Sequence, residues 1–200
     1  MSTVKSKKLQ VGTDASASNN FTIYQPATPD GTLRIGVGNA DSPTEVGQFN
    51  ANGYKPTTSP AFRAYMSSDT DLTDATYTKV PIDTVLFDTT SDFDTTNNRY
   101  IPSVAGYYQV NTVIKYTGGT KIIIVNALYK NGSAYEFGEI WRGSEGTSLT
   151  FNNNCLVYLN GSTDYIELYG YADVSSDTAR YDFSNTTNGC FFSAHLIHQA

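Results

Sequence analysis

The sequence predicts an all-β chain, on three observations: strict two-residue alternation, an aromatic and β-branched composition, and regularly spaced turn clusters. Tyr108, Val110, Thr112, Ile114 and Tyr116 fall on one side of an extended run, with Gln109, Asn111 and Lys115 on the other. That is the period of a strand with one buried face. Ile123, Val125, Ala127 and Tyr129 repeat the pattern, as do Ile166, Leu168, Ala172 and Val174. The 15 Tyr and 10 Phe in 200 residues supply side chains that pack well on a pleated surface. Between the runs lie Gly118-Gly119, Asn131-Gly132, Asn160-Gly161 and Ser175-Ser176-Asp177, a spacing of turns that suggests an antiparallel sandwich or barrel. Asn-Gly followed by a polar residue, as at Asn131-Gly132 and Asn160-Gly161, is a strong hairpin signal.

From the N-terminus, residues 1–58 form an attachment or shaft segment and residues 59–200 a head domain. The division falls where composition shifts, at Lys55-Pro56-Thr57-Thr58-Ser59-Pro60, whose prolines and small polar residues suit a stiff linker. Before it the chain is rich in Gly and Asn. Leu9-Gln10-Val11-Gly12 and Leu33-Arg34-Ile35-Gly36 echo each other as short strands ending in a turn. A segment with so few large apolar residues cannot offset roughly 1–2 kcal/mol of backbone ordering per residue. It is expected to order through chain-to-chain contacts or a partner, with Lys5, Lys7 and Lys8 free to meet an acidic surface.

Composition also excludes functions. A net charge of -6 and a pI near 4.7 leave no source for the phosphate neutralisation that dominates nucleic-acid affinity. The densest apolar run is Ile122-Ile123-Ile124-Val125, far short of the roughly 18 residues a helical span needs, so no membrane insertion is expected. The start of the chain has charge without an apolar run behind it and does not read as a secretory signal. Cys155 and Cys190 form no C-x-x-C pair and read as small buried hydrophobes. His195 and His198 are three residues apart in one strand, which predicts opposite faces and no shared metal. Asp69, Asp71 and Asp74 supply oxygens of the kind calcium takes without the rest of an EF-hand, and read as a solvated loop. No G-x-S-x-G occurs. Neither a metal, a cofactor nor a catalytic activity is expected.

The order of motifs from about Pro60 to Gln199 resembles the globular head domain of complement and its tumour-necrosis-factor-like relatives. Ala61-Phe62-Arg63-Ala64-Tyr65 looks like the first strand of that family and Val85-Leu86-Phe87-Asp88-Thr89 like the second. Arg99-Tyr100-Ile101-Pro102-Ser103-Val104-Ala105-Gly106-Tyr107-Tyr108 is similar to its paired-aromatic signature. Leu128-Tyr129-Lys130-Asn131-Gly132 looks like the hairpin before the middle strands, and Leu156 to Leu159 and Tyr165 to Leu168 like the next two strands. Phe192 to Ile197 resembles the closing strand. The resemblance implies an antiparallel jelly-roll β-sandwich that assembles as a parallel homotrimer, with Tyr107 and Phe191 as candidate trimer-interface residues. Gly36-Val37-Gly38-Asn39-Ala40 and Val46 to Tyr54 resemble the strand-and-turn units of phage tail-fibre shafts.

Two groups are candidate ligand contacts. Tyr165, Tyr169 and Tyr171 lie beside Glu167 on the face opposite the apolar residues of their strand, and a tyrosine offers a flat apolar ring with a polar tip for stacking on a sugar. Trp141-Arg142, with Tyr135 in the same hairpin, has the composition of a binding hot spot. Together these readings predict a virion structural protein: a tail fibre or appendage whose trimeric head meets a host-surface glycan or protein, and whose N-terminal segment meets other virion proteins. A capsid or tail decoration protein is the alternative, and a glycan-cleaving appendage, which would need a carboxylate pair, a further one.

Overall fold

The computed structural model describes residues 7–56, 59–183 and 189–200. The chain divides into two compact units, Met1–Ser59 and Pro60–Ala200. Lys5, Thr57 and Thr58 lie outside the described residues.

The first unit is a five-stranded antiparallel meander, with spatial order equal to chain order: β1 (Lys8–Val11), β2 (Phe21–Tyr24), β3 (Leu33–Val37), β4 (Thr44–Asn50) and β5 (Gly53–Pro56). A short 3-10 turn, Ala17–Asn19, precedes β2. Lys55 and Pro56, read from sequence as the start of a linker, belong to β5, opposite Gln48 and Gly47. The expected turn after Ile35 is also displaced. β3 runs through Gly36 to Val37, and the left-handed backbone comes at Gly38, with φ 117°. Lys8 is not free: its Nζ donates to the Ala40 carbonyl at 2.5 Å.

Register sorts this sheet into two chemically distinct faces. Leu9, Ile23 and Ile35 share one row, Val11, Phe21 and Val37 the next, and Leu33, Phe49 and Tyr54 a third. Lys8, Tyr24, Arg34, Gln48 and Lys55 occupy rows of the other face. There Arg34 pairs with Asp30 and Glu45 at 2.7 and 2.9 Å.

The second unit is an antiparallel jelly-roll sandwich. It opens with β6 (Ala61–Tyr65), β7 (Thr70–Asp71), β8 (Thr78–Lys79), β9 (Thr84–Asp88), β10 (Phe93–Asp94) and β11 (Arg99–Tyr100). The long strands are β12 (Ala105–Thr117), β13 (Thr120–Lys130), β14 (Ser133–Glu145), β15 (Leu149–Asn160) and β16 (Ile166–Ser176). The short β17 (Arg180–Tyr181) and the closing β18 (Phe191–Gln199) complete it. One sheet follows the order β7-β17-β12-β18-β6-β9 with β15 on the other edge of β12, and the second follows β10-β11-β16-β13-β14 with β8 beside β16. The chain therefore changes sheet between β12 and β13, between β14 and β15, and again between β15 and β16.

Alternation in β12 places one face in the core: Tyr108, Val110, Ile114 and Tyr116 are all buried. Phe62 stacks on Tyr100 at 4.3 Å and meets Phe192 edge-on at 5.1 Å. Thr112 takes its expected inward place, where its hydroxyl donates to the Asn153 carbonyl and accepts from the amide of Asn126 at 3.2 Å. That amide also donates to the Phe151 carbonyl, so one buried side chain ties the two sheets together.

Three local expectations fail for physical reasons. In β13 the inward residues are Ile124, Asn126 and Leu128, not Ile123, Val125, Ala127 and Tyr129. The outward set looks apolar because an aromatic side chain lies over part of it: the Tyr77 ring, from the segment before β8, comes within 6.1 Å of the Tyr129 ring. Asn131-Gly132 does make the β13–β14 hairpin, with φ 53° and 76°, the left-handed pair a type I′ turn requires. Asn160-Gly161 does not. It carries the chain between sheets, the Asn160 side-chain oxygen accepting from the backbone of Ser162, Thr163 and Asp164. Finally, a bulge between Tyr107 and Tyr108 sets His195 opposite Gln109 and His198 opposite Tyr107, so both histidines share the outward face that sequence spacing had split.

Candidate functional site

The outward face of the β16–β13–β14 sheet carries a patch of five aromatic rings. Opposite one another in register are Tyr169, Ala127 and Phe137, with Tyr171 opposite Val125 and Tyr129 opposite Glu167. The small Ala127 lets larger neighbours lean together, and Tyr129 stacks on Tyr169 with centroids 4.0 Å apart and planes at 22°. Tyr77, from the segment preceding β8, joins from the side at 5.0 Å from Tyr171, 6.0 Å from Phe137 and 6.1 Å from Tyr129. The rings are half-buried or exposed, and the sheet beneath them is closed, with Val125 and Ala127 buried. The result is a shallow apolar surface edged by phenolic hydroxyls.

Burial raises the phenol pKa of Tyr77, Tyr129 and Tyr169, helped at Tyr169 by the Glu167 carboxylate. These hydroxyls are therefore neutral donors and acceptors at physiological pH. Glu167 is itself buried and paired with Lys79, and Lys79 also donates to the Asn97 carbonyl. That pairing ties the carboxylate into the structure beside the patch.

Of the ligand contacts expected from sequence, Tyr169 and Tyr171 are in this patch. Tyr165 sits just before that strand under the Arg99 guanidinium, 4.8 Å from its ring centre. Tyr135 is a bulge residue whose hydroxyl donates across to the Leu156 carbonyl of the other sheet. Trp141 lies opposite Ile124 and packs against the core, six residues along the strand from Tyr135, so the structure does not gather the two into one site. The exposed Arg142 points outward opposite Ile123. Tyr77, Tyr129 and Phe137 were missed. The alternation puts Tyr129 on the apolar side of its strand, and nothing in the spacing of Tyr77 announces that its ring reaches this sheet.

The opposite side of the sandwich presents a second exposed surface. Tyr107 and Tyr158 lie side by side with centroids 5.5 Å apart, and Leu156 follows in the same strand at 48% exposure. Phe191 shares that face, capped by the Arg63 guanidinium at 4.1 Å, and Phe87 lies beyond opposite Arg63. Both residues expected at a trimer interface, Tyr107 and Phe191, therefore face outward from this sheet.

Potential metal ligands are dispersed. Asp69 accepts from Phe183 N, Asp71 pairs with Arg180, and Asp74 accepts from Val174 N. Among the described residues no group of three or more His, Cys, Asp or Glu could hold a metal ion, and no helix is long and apolar enough to cross a membrane. Cys155 and Cys190 are both free thiols. The central strand β12 separates them, with Cys155 opposite Val110 and Cys190 Sγ accepting from Lys115 N.

Comparisons with known proteins agree with the architecture. The fold is similar to the globular domain of zebrafish complement 1qA, with a TM-score of 0.52 at 14% identity, covering 72% of this chain and all of that one. It is similar also to murine APRIL, with a TM-score of 0.54 at 9% identity, covering 70% of this chain and all of that one. The head thus shares the jelly-roll fold of these domains. In sequence the chain is 30% identical over 121 residues to YqcC, an uncharacterised protein of Bacillus subtilis strain 168; the match takes in 58% of this chain and 33% of YqcC. The chain thus spans about a third of that relative's length. No family model matches the sequence.

Proposed function

We propose that this protein is a non-catalytic attachment protein of a virion, a tail fibre or appendage, whose head works as a homotrimer and binds a host-surface glycan through the five-ring patch. The observation that carries the reading is the patch itself: neutral phenols around a flat apolar surface suit the alternating C–H and hydroxyl surface of a sugar. The outward face bearing Tyr107, Leu156, Tyr158 and Phe191 is assigned to the trimer contact. Trimerisation makes weak sites useful, because three contacts per fibre and several fibres per particle give avidity without high intrinsic affinity.

The test is adsorption of the purified protein to host cells and to immobilised surface glycans. Tyr169→Ala and Tyr129→Ala are expected to weaken glycan binding about tenfold per site, the equivalent of roughly 1.4 kcal/mol, while the circular dichroism of the head is unchanged. Binding to particles but not to cells would favour a decoration protein and overturn the host-attachment reading. Removal of residues 1–58 should leave the head folded and abolish incorporation into particles. Normal copy number of the truncated protein would place attachment in the head.

A further inference from the structure

The first unit has a sheet with one face polar and one face bare. Leu9, Val11, Phe21, Leu33, Phe49 and Tyr54 on the bare face are 43 to 59% exposed. A single-layer sheet leaves its apolar face in water unless another layer covers it. At roughly 150–200 Å² per large side chain, these six residues leave on the order of 500 Å² of apolar surface open. That is near the upper end of the roughly 300–600 Å² typical of the largest patch on a monomer. With the half-buried Ile23, Ile35 and Val37 added, the face reaches on the order of 600 Å², most of the roughly 800 Å² per partner of a standard interface. A depression of about 550 Å³ opens beside Leu9, Ile23, Leu33 and Phe49, with Lys7 and Gln25 at its edge, so the surface offers relief into which side chains can interdigitate.

We infer that this face packs against the same face of other copies of the chain, so that three N-terminal sheets form a closed prism with apolar rows inside and charged rows outside. The inference rests on the trimeric reading of the head. Two observations select a second copy over another protein. The paired rows of the bare face are apolar or uncharged, with Lys7 at its rim beside Leu9, while Lys8, Arg34, Glu45 and Lys55 occupy rows of the other face. An apolar surface is complementary to itself, with no charged row to bury when two copies meet, and a rim lysine such as Lys7 can keep its ammonium in water. The second is the tether. Only residues 57–59 lie between β5 and the start of the head unit, so a trimeric head would hold three such faces at high effective concentration.

The test uses the full chain with a photo-crosslinking benzoylphenylalanine in place of Phe21, and a control with the same probe at Gln48 on the polar face. Irradiation should give covalent dimers and trimers from the Phe21 probe, with adducts mapped to residues 7–56 of another copy, and at least tenfold less from the Gln48 probe. Leu33→Asp combined with Phe49→Asp should remove the Phe21 adducts while sedimentation still shows a trimer held by the head. Sedimentation of the unmodified chain reports the head separately: a monomer there overturns the trimeric reading and this inference with it. A trimer whose Phe21 probe couples only within its own chain, or only once a second protein is added, overturns this inference alone.

Discussion

Several single residues carry consequences that solution measurements can check. Burial pushes the Cys190 thiol up to about 12 and the Cys155 thiol up to about 11. Because the thiolate is the reactive form, neither cysteine should react with a maleimide or an aromatic disulfide at pH 7 until the head unfolds; reaction of Cys155 at the rate of a free thiol would overturn this. Tyr181 is buried between strands, its hydroxyl donating to Thr78 O and accepting from Gly170 N at 3.0 Å. Tyr181→Phe leaves both backbone groups without that partner and should cost about 1–3 kcal/mol, read as a lowered urea midpoint with unchanged slope. Asp164 accepts from the Asn131 amide at 2.8 Å and from Lys130 at 2.9 Å. These contacts, Asn131 foremost, hold its carboxyl below the usual range. A carboxyl depressed on folding stabilises above its unfolded value, about 3.9, and that contribution is lost as pH falls through the folded value. Asp164→Ala should therefore lower stability by about 1 kcal/mol at pH 7 and make no difference once both forms are fully protonated.

At the level of strands and turns, the Asn131-Gly132 hairpin is the place where local sequence does most to set register. Asn131 combines φ 53° with side-chain bonds to Asp164 and to Tyr165 N. Asn131→Ala should thus cost about 2 kcal/mol, more than the roughly 1 kcal/mol of Gly132→Ala, and thermal unfolding of the two variants gives the comparison. Elements of this kind were legible beforehand because their signals are local: the alternation of β12, the I′ turn, and the order of the strand motifs. What escaped depends on contacts distant in sequence. Asn160-Gly161 has the dipeptide of a hairpin, but its neighbours pair in different sheets. The inward side of β13 is not legible because both sides of the strand are apolar, one facing the core and the other forming the floor of the aromatic patch that Tyr77 joins. The shared face of His195 and His198 follows from one extra residue in β18, which alternation alone cannot reveal. The aromatic patch was half visible for the same reason, since Tyr169 and Tyr171 lie on one strand while Tyr77 arrives from roughly ninety residues away in the chain.

For the whole molecule, assembly is predicted to depend on the exposed side of the β12–β15 sheet. Leu156→Asp places a charge where the trimer contact is assigned, and an unpaired buried charge is costly. Sedimentation should show the variant head dissociated at micromolar concentration but folded; an intact trimer would move the contact elsewhere. The assignments for self-association and glycan contact lie on opposite outer faces of one sandwich, separated by a packed core about 10 Å thick. Substitutions on faces so far apart act almost independently. Under the proposed attachment function, the ring-bearing side can therefore drift, residue by residue, toward a new receptor while the assembly surface stays under constraint, and a change of host need not pass through an ancestor that fails to assemble.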